Sequence, residues 1–84
     1  MVTLLYFARL REALGVSSEQ ADLPAEVSDV NGLTQWLRSR GAAWESELAP
    51  GRAFRVAVNQ EIADGATALR DGDEVAIFPP VTGG

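Results

Sequence analysis

The chain has 84 residues, 46% of them hydrophobic, and no run of eighteen apolar residues, so we expect one small globular domain that does not span a membrane. Its formal net charge of −5 comes from twelve acidic residues against seven arginines and no lysine, which disfavours nucleic acid as a partner and fits either simple solubility or a partner with a basic face. It has neither cysteine nor histidine, which excludes disulfides, thiolate nucleophiles, most zinc sites and the usual general base near neutral pH.

The first quarter of the chain predicts two strands on either side of a short helical turn. Residues 2–7 form an almost continuous apolar run, which is typical of a strand. Residues 9–14 predict a helical turn that Gly15 closes. Residues 19–23 predict a weak second strand, which Pro24 ends because proline lacks the amide hydrogen that a strand ladder needs.

The main helix is predicted next, from a capping residue and an apolar stripe. Ser28 or Asp29 can cap this helix, and Gly41 provides its stop. The stripe consists of residues at helical spacing: Val30, Leu33, Trp36 and Leu37. Residues 44–48 predict a further short helix.

The second half of the chain predicts short strands joined by tight turns. Residues 54–58 alternate as a strand, and the pair Asn59-Gln60 turns the chain into a short partner strand around Ile62. The last strand covers residues 74–78. Two further turn signals are pairs of aspartate and glycine: Asp64-Gly65 and Asp71-Gly72.

This order of elements predicts an α+β domain with a mixed sheet of four to five strands and one main helix on one face. Side chains alternate across a strand, so Leu5 and Phe7 share one face of the first strand, and Ala76 and Phe78 share one face of the last. Both strands are therefore apolar on two faces. The face away from the helix needs a cover, which either the segment 42–53 or a partner protein can provide.

The densest acidic cluster is Asp71-Gly72-Asp73-Glu74, which we interpret as a turn before the last strand rather than a metal site. No segment has the spacing of a calcium loop or of a glycine-rich phosphate loop. Together with the absence of cysteine and histidine, this disfavours a self-sufficient enzyme and predicts no metal site.

The C-terminal segment has an unusual composition. Pro79 and Pro80 should end the last strand and stiffen the chain beyond it, so we divide the chain into a domain of residues 1–79 and a flexible arm of residues 80–84. The arm can reach at most about 17 Å, at roughly 3.3–3.6 Å per residue. Its final pair, Gly83-Gly84, is either a frayed end or a slender main chain that enters another protein's active site.

Four sequence landmarks identify a family at this point: Tyr6-Phe7-Ala8 with Arg11-Glu12, Val58-Asn59-Gln60, residues 71–76, and the ending Phe78-Pro79-Pro80-Val81-Thr82-Gly83-Gly84. The chain resembles the ubiquitin-like β-grasp sulfur carriers, and among them the small subunits of molybdopterin synthase. The resemblance covers essentially all 84 residues, and the ending is its most specific part.

The resemblance implies a chemistry for the terminal carboxylate. An adenylating enzyme related to ubiquitin-activating (E1) enzymes would use ATP to adenylate Gly84, and a sulfur donor would displace AMP to leave a thiocarboxylate. The arm would then enter the large subunit, where sulfur passes to cyclic pyranopterin monophosphate to form the molybdopterin dithiolene. The apolar parity of the first and last strands, together with the resemblance, predicts that Phe7, Ile62 and Phe78 form a patch on the sheet face opposite the main helix and contact these partners. The resemblance also implies that the inserted arm comprises Pro79, Pro80, Val81, Thr82 and Gly83, and that the chain itself binds no cofactor.

Two other functions stay open at this stage. One is a related sulfur carrier, for thiamine or for tRNA thiolation, against which the stretch from Phe78 to Thr82 speaks. The other is a ubiquitin-like modifier or interaction module, which could not build isopeptide-linked chains on itself because it has no lysine. Whichever function holds, we expect a cytoplasmic protein, because the sequence has no membrane span and the amino terminus lacks a secretory signal.

Overall fold

A five-stranded sheet with helices on one face forms the domain. The computed structural model describes residues 1–50 and 53–80. The described elements, in chain order, are β1 (Val2–Tyr6), α1 (Ala8–Leu14), β2 (Ser18–Ala21), α2 (Val30–Arg38), α3 (Ala42–Glu47), β3 (Arg55–Val58), β4 (Glu61–Ala63) and β5 (Glu74–Phe78).

The sheet has the strand order β2-β1-β5-β3-β4. Its two central neighbours, β1 and β5, run parallel, and every other pair is antiparallel. Parallel strands must be joined by a long crossover connection, and the chain between β1 and β5 includes the three helices. Antiparallel strands can be joined by a short turn, as β3 and β4 are. The predicted α+β fold with a mixed sheet is therefore confirmed, and five strands are present.

The core lies between the sheet and the helices. Along β1 the even-numbered residues are buried, and the odd-numbered residues of β5 meet them in register, with Leu4 opposite Val75 and Tyr6 opposite Ile77. From the other side α2 contributes the apolar stripe that its sequence predicts. Among the described residues, the largest fully buried side chains are Leu4, Tyr6, Leu33, Leu37, Leu48, Val75 and Ile77.

The helix layer is larger than one main helix. Although α2 is the longest, α1 adds the buried Leu10, and the ring of Trp44 in α3 packs edge-on against Tyr6 at 5.5 Å between centroids. Leu48, at the C-terminal end of α3, is completely buried in the same core. Residues 42–50 therefore pack on the same side of the sheet as α2. The alternative that the segment 42–53 covers the other side of the sheet is wrong for these residues.

Three strands have bounds that differ from the prediction. β3 begins at Arg55 instead of residue 54, and neighbouring elements explain the differences in β2 and β1. The second strand covers Ser18–Ala21 instead of residues 19–23, because Ala21 already pairs with Val2, the first residue of β1. The first strand ends at Tyr6 because the next residue, Phe7, already serves as the N-cap of α1.

Of the two predicted caps of α2, Ser28 and Asp29, the structure has Asp29, and the loop after β4 supports the same helix start. The side chain of Asp29 accepts a hydrogen bond from the backbone nitrogen of Gly32 at 2.8 Å. The backbone nitrogens of Val30 and Asn31 donate to the carbonyl oxygens of Thr67 and Gly65, so the loop satisfies two further donors of the first turn. The helix ends at Arg38, with Ser39 as its C-cap, before the predicted stop at Gly41.

The turn between β3 and β4 is the predicted Asn59-Gln60 pair. Both residues have positive φ, 50° and 71°, as a two-residue hairpin turn of type I′ requires. The Asn59 side chain also donates to Asp73 Oδ1 and accepts from the backbone nitrogen of Glu74, each at 3.0 Å. This contact ties the hairpin to the turn around Gly72 and fixes the start of β5.

Candidate functional site

The sheet face opposite the helices carries an apolar row that crosses four strands. Leu5 of β1 lies opposite Ala76 of β5, Ala76 lies opposite Ala57 of β3, and Ala57 lies opposite Ile62 of β4. Directly paired residues share a face, so the row is continuous. At a spacing of about 4.8 Å per strand it spans about 14 Å. We call this surface, together with Phe7 and Phe78, the open face.

The three residues predicted for partner contact all lie on the open face. Ile62 is 68% exposed and Phe7 is 44% exposed, which makes them two of the most exposed large apolar residues among those described. Phe78 is half-buried. None of the three is packed under the helices, which is the arrangement that would have excluded them from a docking surface.

Polar groups border the open face. At one end, Arg55 lies opposite Phe78 in the antiparallel pair of β3 and β5. At the other end, Thr3 pairs with Glu74 of β5 and with Gln20 of β2. An apolar centre with a polar and charged border is the usual anatomy of a protein–protein interface.

β5 is part of the open face, and the predicted arm follows it in the chain. β5 lies between β1 and β3 and ends at Phe78, as its sequence predicts. Pro79 and Pro80 come next, half-buried and without regular structure. The rest of the predicted arm, Val81, Thr82, Gly83 and Gly84, lies outside the described residues. The insertion of the arm and the chemistry of the Gly84 carboxylate therefore stay predictions.

A polar cluster on the helix side was missed by the sequence analysis. The Tyr6 hydroxyl donates to Glu19 Oε2 at 2.8 Å, and Arg40 donates to both carboxylate oxygens of Glu19 at 2.8 and 3.0 Å. The Arg40 guanidinium lies 4.4 Å from the ring centroid of Trp44 and 5.4 Å from that of Trp36. No local sequence pattern identifies this cluster, because its members lie on β1, β2, α2, α3 and the segment between the two helices.

Hydrogen bonds and burial within this cluster shift the pKa values of Glu19 and Tyr6. The hydrogen bonds from Arg40 hold the pKa of Glu19 below its usual value, against a smaller opposing effect of burial. Burial, and then the hydrogen bond to Glu19, raises the pKa of the Tyr6 hydroxyl. The cluster joins β2 to the segment between α2 and α3, on the face away from the open face, and we assign it a structural role.

Acidic residues do not form a metal site in the part of the chain that the structure describes: no group of three or more acidic side chains is placed to hold an ion there. Asp73, in the densest acidic segment, instead accepts hydrogen bonds from Asn59 and from the backbone nitrogen of Arg70. These contacts confirm the interpretation of this segment as a turn.

Among the described residues, none of the helices has the length and apolar character needed to cross a membrane.

Comparison with known proteins agrees with this geometry. The ThiS family matches residues 4–84, which includes the terminal glycine pair. The molybdopterin synthase sulfur carrier subunit of Escherichia coli is 38% identical over 84 residues, which is all of both chains. Among solved structures, subunit 1 of the molybdopterin converting factor from Pyrococcus furiosus has a TM-score of 0.78 at 31% identity, over 95% of this chain and 97% of that one. SAMP1, a small archaeal modifier protein from Haloferax volcanii, has a TM-score of 0.79 at 31% identity, over 99% and 98%.

The mixed sheet, the one-sided helix layer and the strand that leads into a C-terminal glycine pair define a ubiquitin-like β-grasp carrier. The family match covers nearly the whole chain and its relatives match it end to end. The chain therefore belongs to the ThiS family of sulfur carriers.

Proposed function

We propose that this protein is the sulfur carrier subunit of molybdopterin synthase. The observation that carries the proposal is the end-to-end match at 38% identity to a subunit with that function. The open face supports it, because a carrier that visits other proteins needs an exposed docking surface beside its reactive arm.

The proposed chemistry takes place at the carboxylate of Gly84. An adenylating enzyme joins this carboxylate to the α-phosphate of ATP, which releases pyrophosphate and leaves an acyl adenylate. Hydrosulfide supplied by the donor system then attacks the carbonyl carbon, AMP leaves with the electron pair of the broken C–O bond, a proton is released, and the product is a thiocarboxylate. A thiocarboxylate is ionised at neutral pH, and its sulfur is therefore a ready nucleophile.

The large subunit of the synthase is the proposed acceptor of the arm. There the sulfur attacks a side-chain carbon of cyclic pyranopterin monophosphate, whose oxygen substituent leaves, and the product is a thioester to Gly84. Water then hydrolyses the thioester, which leaves the sulfur on the substrate and returns the Gly84 carboxylate, and two such transfers supply the two sulfurs of the dithiolene. This chain contributes the sulfur and the docking surface but no catalytic side chain, and it binds no cofactor of its own. ATP is consumed by the adenylating enzyme.

A reconstitution tests the proposal. The purified chain is incubated with the adenylating enzyme, ATP and sulfide, and the large subunit and cyclic pyranopterin monophosphate are then added. We expect molybdopterin to form, and we expect a variant that lacks Gly84 to fold normally but form none, since the end of a chain contributes little to stability. Equal product from the variant would refute the proposal.

A modifier function is the second candidate, because SAMP1 matches the fold over nearly the whole of both chains. A modifier would form an amide between Gly84 and amino groups of other proteins. A tagged copy expressed in its native cells would then produce a ladder of covalent conjugates. We expect one band at the size of the free chain, and a ladder that requires Gly84 would favour the modifier.

A further inference from the structure

The junction between β1 and α1 contains a residue in an unfavourable backbone conformation. Ala8 has a φ of 53°, in the left-handed region, where a residue with a Cβ atom is strained. Two other non-glycine residues with positive φ occur in the described ranges, Asn59 and Gln60, and the type I′ turn accounts for both. Ala8 lies in no such turn, so its strain needs another explanation.

The residue before it, Phe7, belongs to the sheet and to the helix at once. Its backbone nitrogen donates to the carbonyl oxygen of Ile77 at 3.2 Å, which extends the ladder between β1 and β5 by one residue. Its carbonyl oxygen accepts from the backbone nitrogens of Leu10 at 3.1 Å and Arg11 at 3.4 Å, which starts α1. The amide and the carbonyl group of Phe7 are thus both hydrogen-bonded while its backbone keeps the extended conformation of a strand, with φ of −124° and ψ of 155°.

This double role decides where the two neighbouring side chains lie. Phe7 continues the alternation of β1, so its ring lies on the open face while Tyr6 is buried in the core. Leu10 is also buried in the core, on the helix side of the sheet. The chain therefore passes from the open face to the helix face within about one residue, and the left-handed turn at Ala8 makes this reversal.

We propose that Ala8 is a positioning residue whose left-handed backbone holds the ring of Phe7 on the open face, beside Phe78, for contact with the large subunit. The inference rests on the proposed function, because it requires that the open face bind that partner. Ala8 acts through Phe7 and needs no contact with the partner itself.

A series of substitutions at Ala8 separates backbone conformation from side-chain size. Glycine and asparagine both tolerate the left-handed region, whereas valine does not. We expect Ala8→Gly and Ala8→Asn to bind the large subunit within about twofold of the natural chain and Ala8→Val to bind at least about fivefold more weakly. Ala13→Val, an exposed position in the same helix, is the matched control and should bind normally.

A double-mutant cycle with Phe7→Ala shows whether Ala8 acts through Phe7. In the Phe7→Ala background, we expect Ala8→Val to cause no further loss of affinity. Circular dichroism establishes that each variant is folded at the temperature of the titration. If the valine variant is unfolded there, the titrations of all variants are repeated at a lower temperature at which circular dichroism shows it to be folded.

The outcomes distinguish this inference from the proposed function. Equal affinities for the asparagine and valine variants, or additive losses in the cycle, would overturn the role of Ala8. Normal binding by Phe7→Ala alone would instead refute docking through this part of the open face, and the inference about Ala8 would fail with it.

Discussion

Because side chains on the open face are exposed, we expect Ile62→Ala to weaken binding to the large subunit while it changes the free energy of unfolding only slightly. Burying an isoleucine side chain completely is worth about 1.5–3 kcal/mol. Ile62 is 68% exposed, so only about a third of that amount contributes to folding, and the free energy of unfolding should fall by less than about 1 kcal/mol. If a partner covers the rest, the complex loses about 1–2 kcal/mol, or about five- to thirtyfold in Kd.

Leu33→Ala is the matched control for this prediction. Leu33 is completely buried under the sheet, so its truncation should cost about 2–5 kcal/mol of stability. Binding by the fraction that stays folded should not change. Denaturant unfolding gives the stability of each variant, and calorimetric titration with the large subunit gives its Kd. An unchanged Kd for Ile62→Ala would refute the assignment of β4 to the docking surface.

Substitutions at three further positions test other parts of the account. Asn59→Gly keeps a residue that tolerates positive φ and should lose only the side-chain hydrogen bonds, about 1–2 kcal/mol, whereas Asn59→Val should lose clearly more in the same unfolding assay because valine also strains the turn. Glu19→Gln tests the ion pair with Arg40 through its pH dependence. Because folding lowers the pKa of Glu19, the carboxylate stabilises the fold fully above its unfolded-state pKa of about 4.3, and this stabilisation is lost as the pH falls through the folded-state pKa. The stability difference between natural chain and variant should therefore shrink from pH 7 to pH 3, and a constant difference would contradict the ion pair with Arg40. Gly83→Val should fold normally but be adenylated more slowly, because a side chain widens the arm, and an unchanged rate of pyrophosphate release would exclude a narrow channel in the activating enzyme.

Where local chemistry decides the structure, the sequence was sufficient to predict it. Asn59 and Gln60 occupy the one turn type that needs two positive φ values, and the side chain of Asp29 caps the first turn of α2 from three residues away. The alternation of apolar residues in β1 and β5 was sufficient to predict a sheet face that the helices leave open. The turn and the cap depend on residues that are close in sequence, and the open sheet face depends on the alternation of side chains along a strand.

Where tertiary contacts decide the structure, the sequence was not sufficient. The limits of β2 are set by the length of β1 and not by its own polar sequence, Ser18–Ala21. Residues 42–50 have no clear period, and their place on the helix face depends on the burial of Leu48. The strain at Ala8 arises because a strand and a helix share Phe7, and an alanine gives no sign of positive φ in the sequence.

The central claim concerns the terminal carboxylate, and mass spectrometry of the protein from its native cells tests it most directly. In cells that lack the large subunit, the protein should accumulate in the form that carries a thiocarboxylate at Gly84. Replacement of oxygen by sulfur adds about 16 Da, nearly the same mass as oxidation of a methionine. Cleavage after Arg70, the last arginine, resolves the two, because the peptide of residues 71–84 contains no methionine. We predict that this peptide carries the added mass at Gly84. A peptide found only with an ordinary carboxylate would contradict the account.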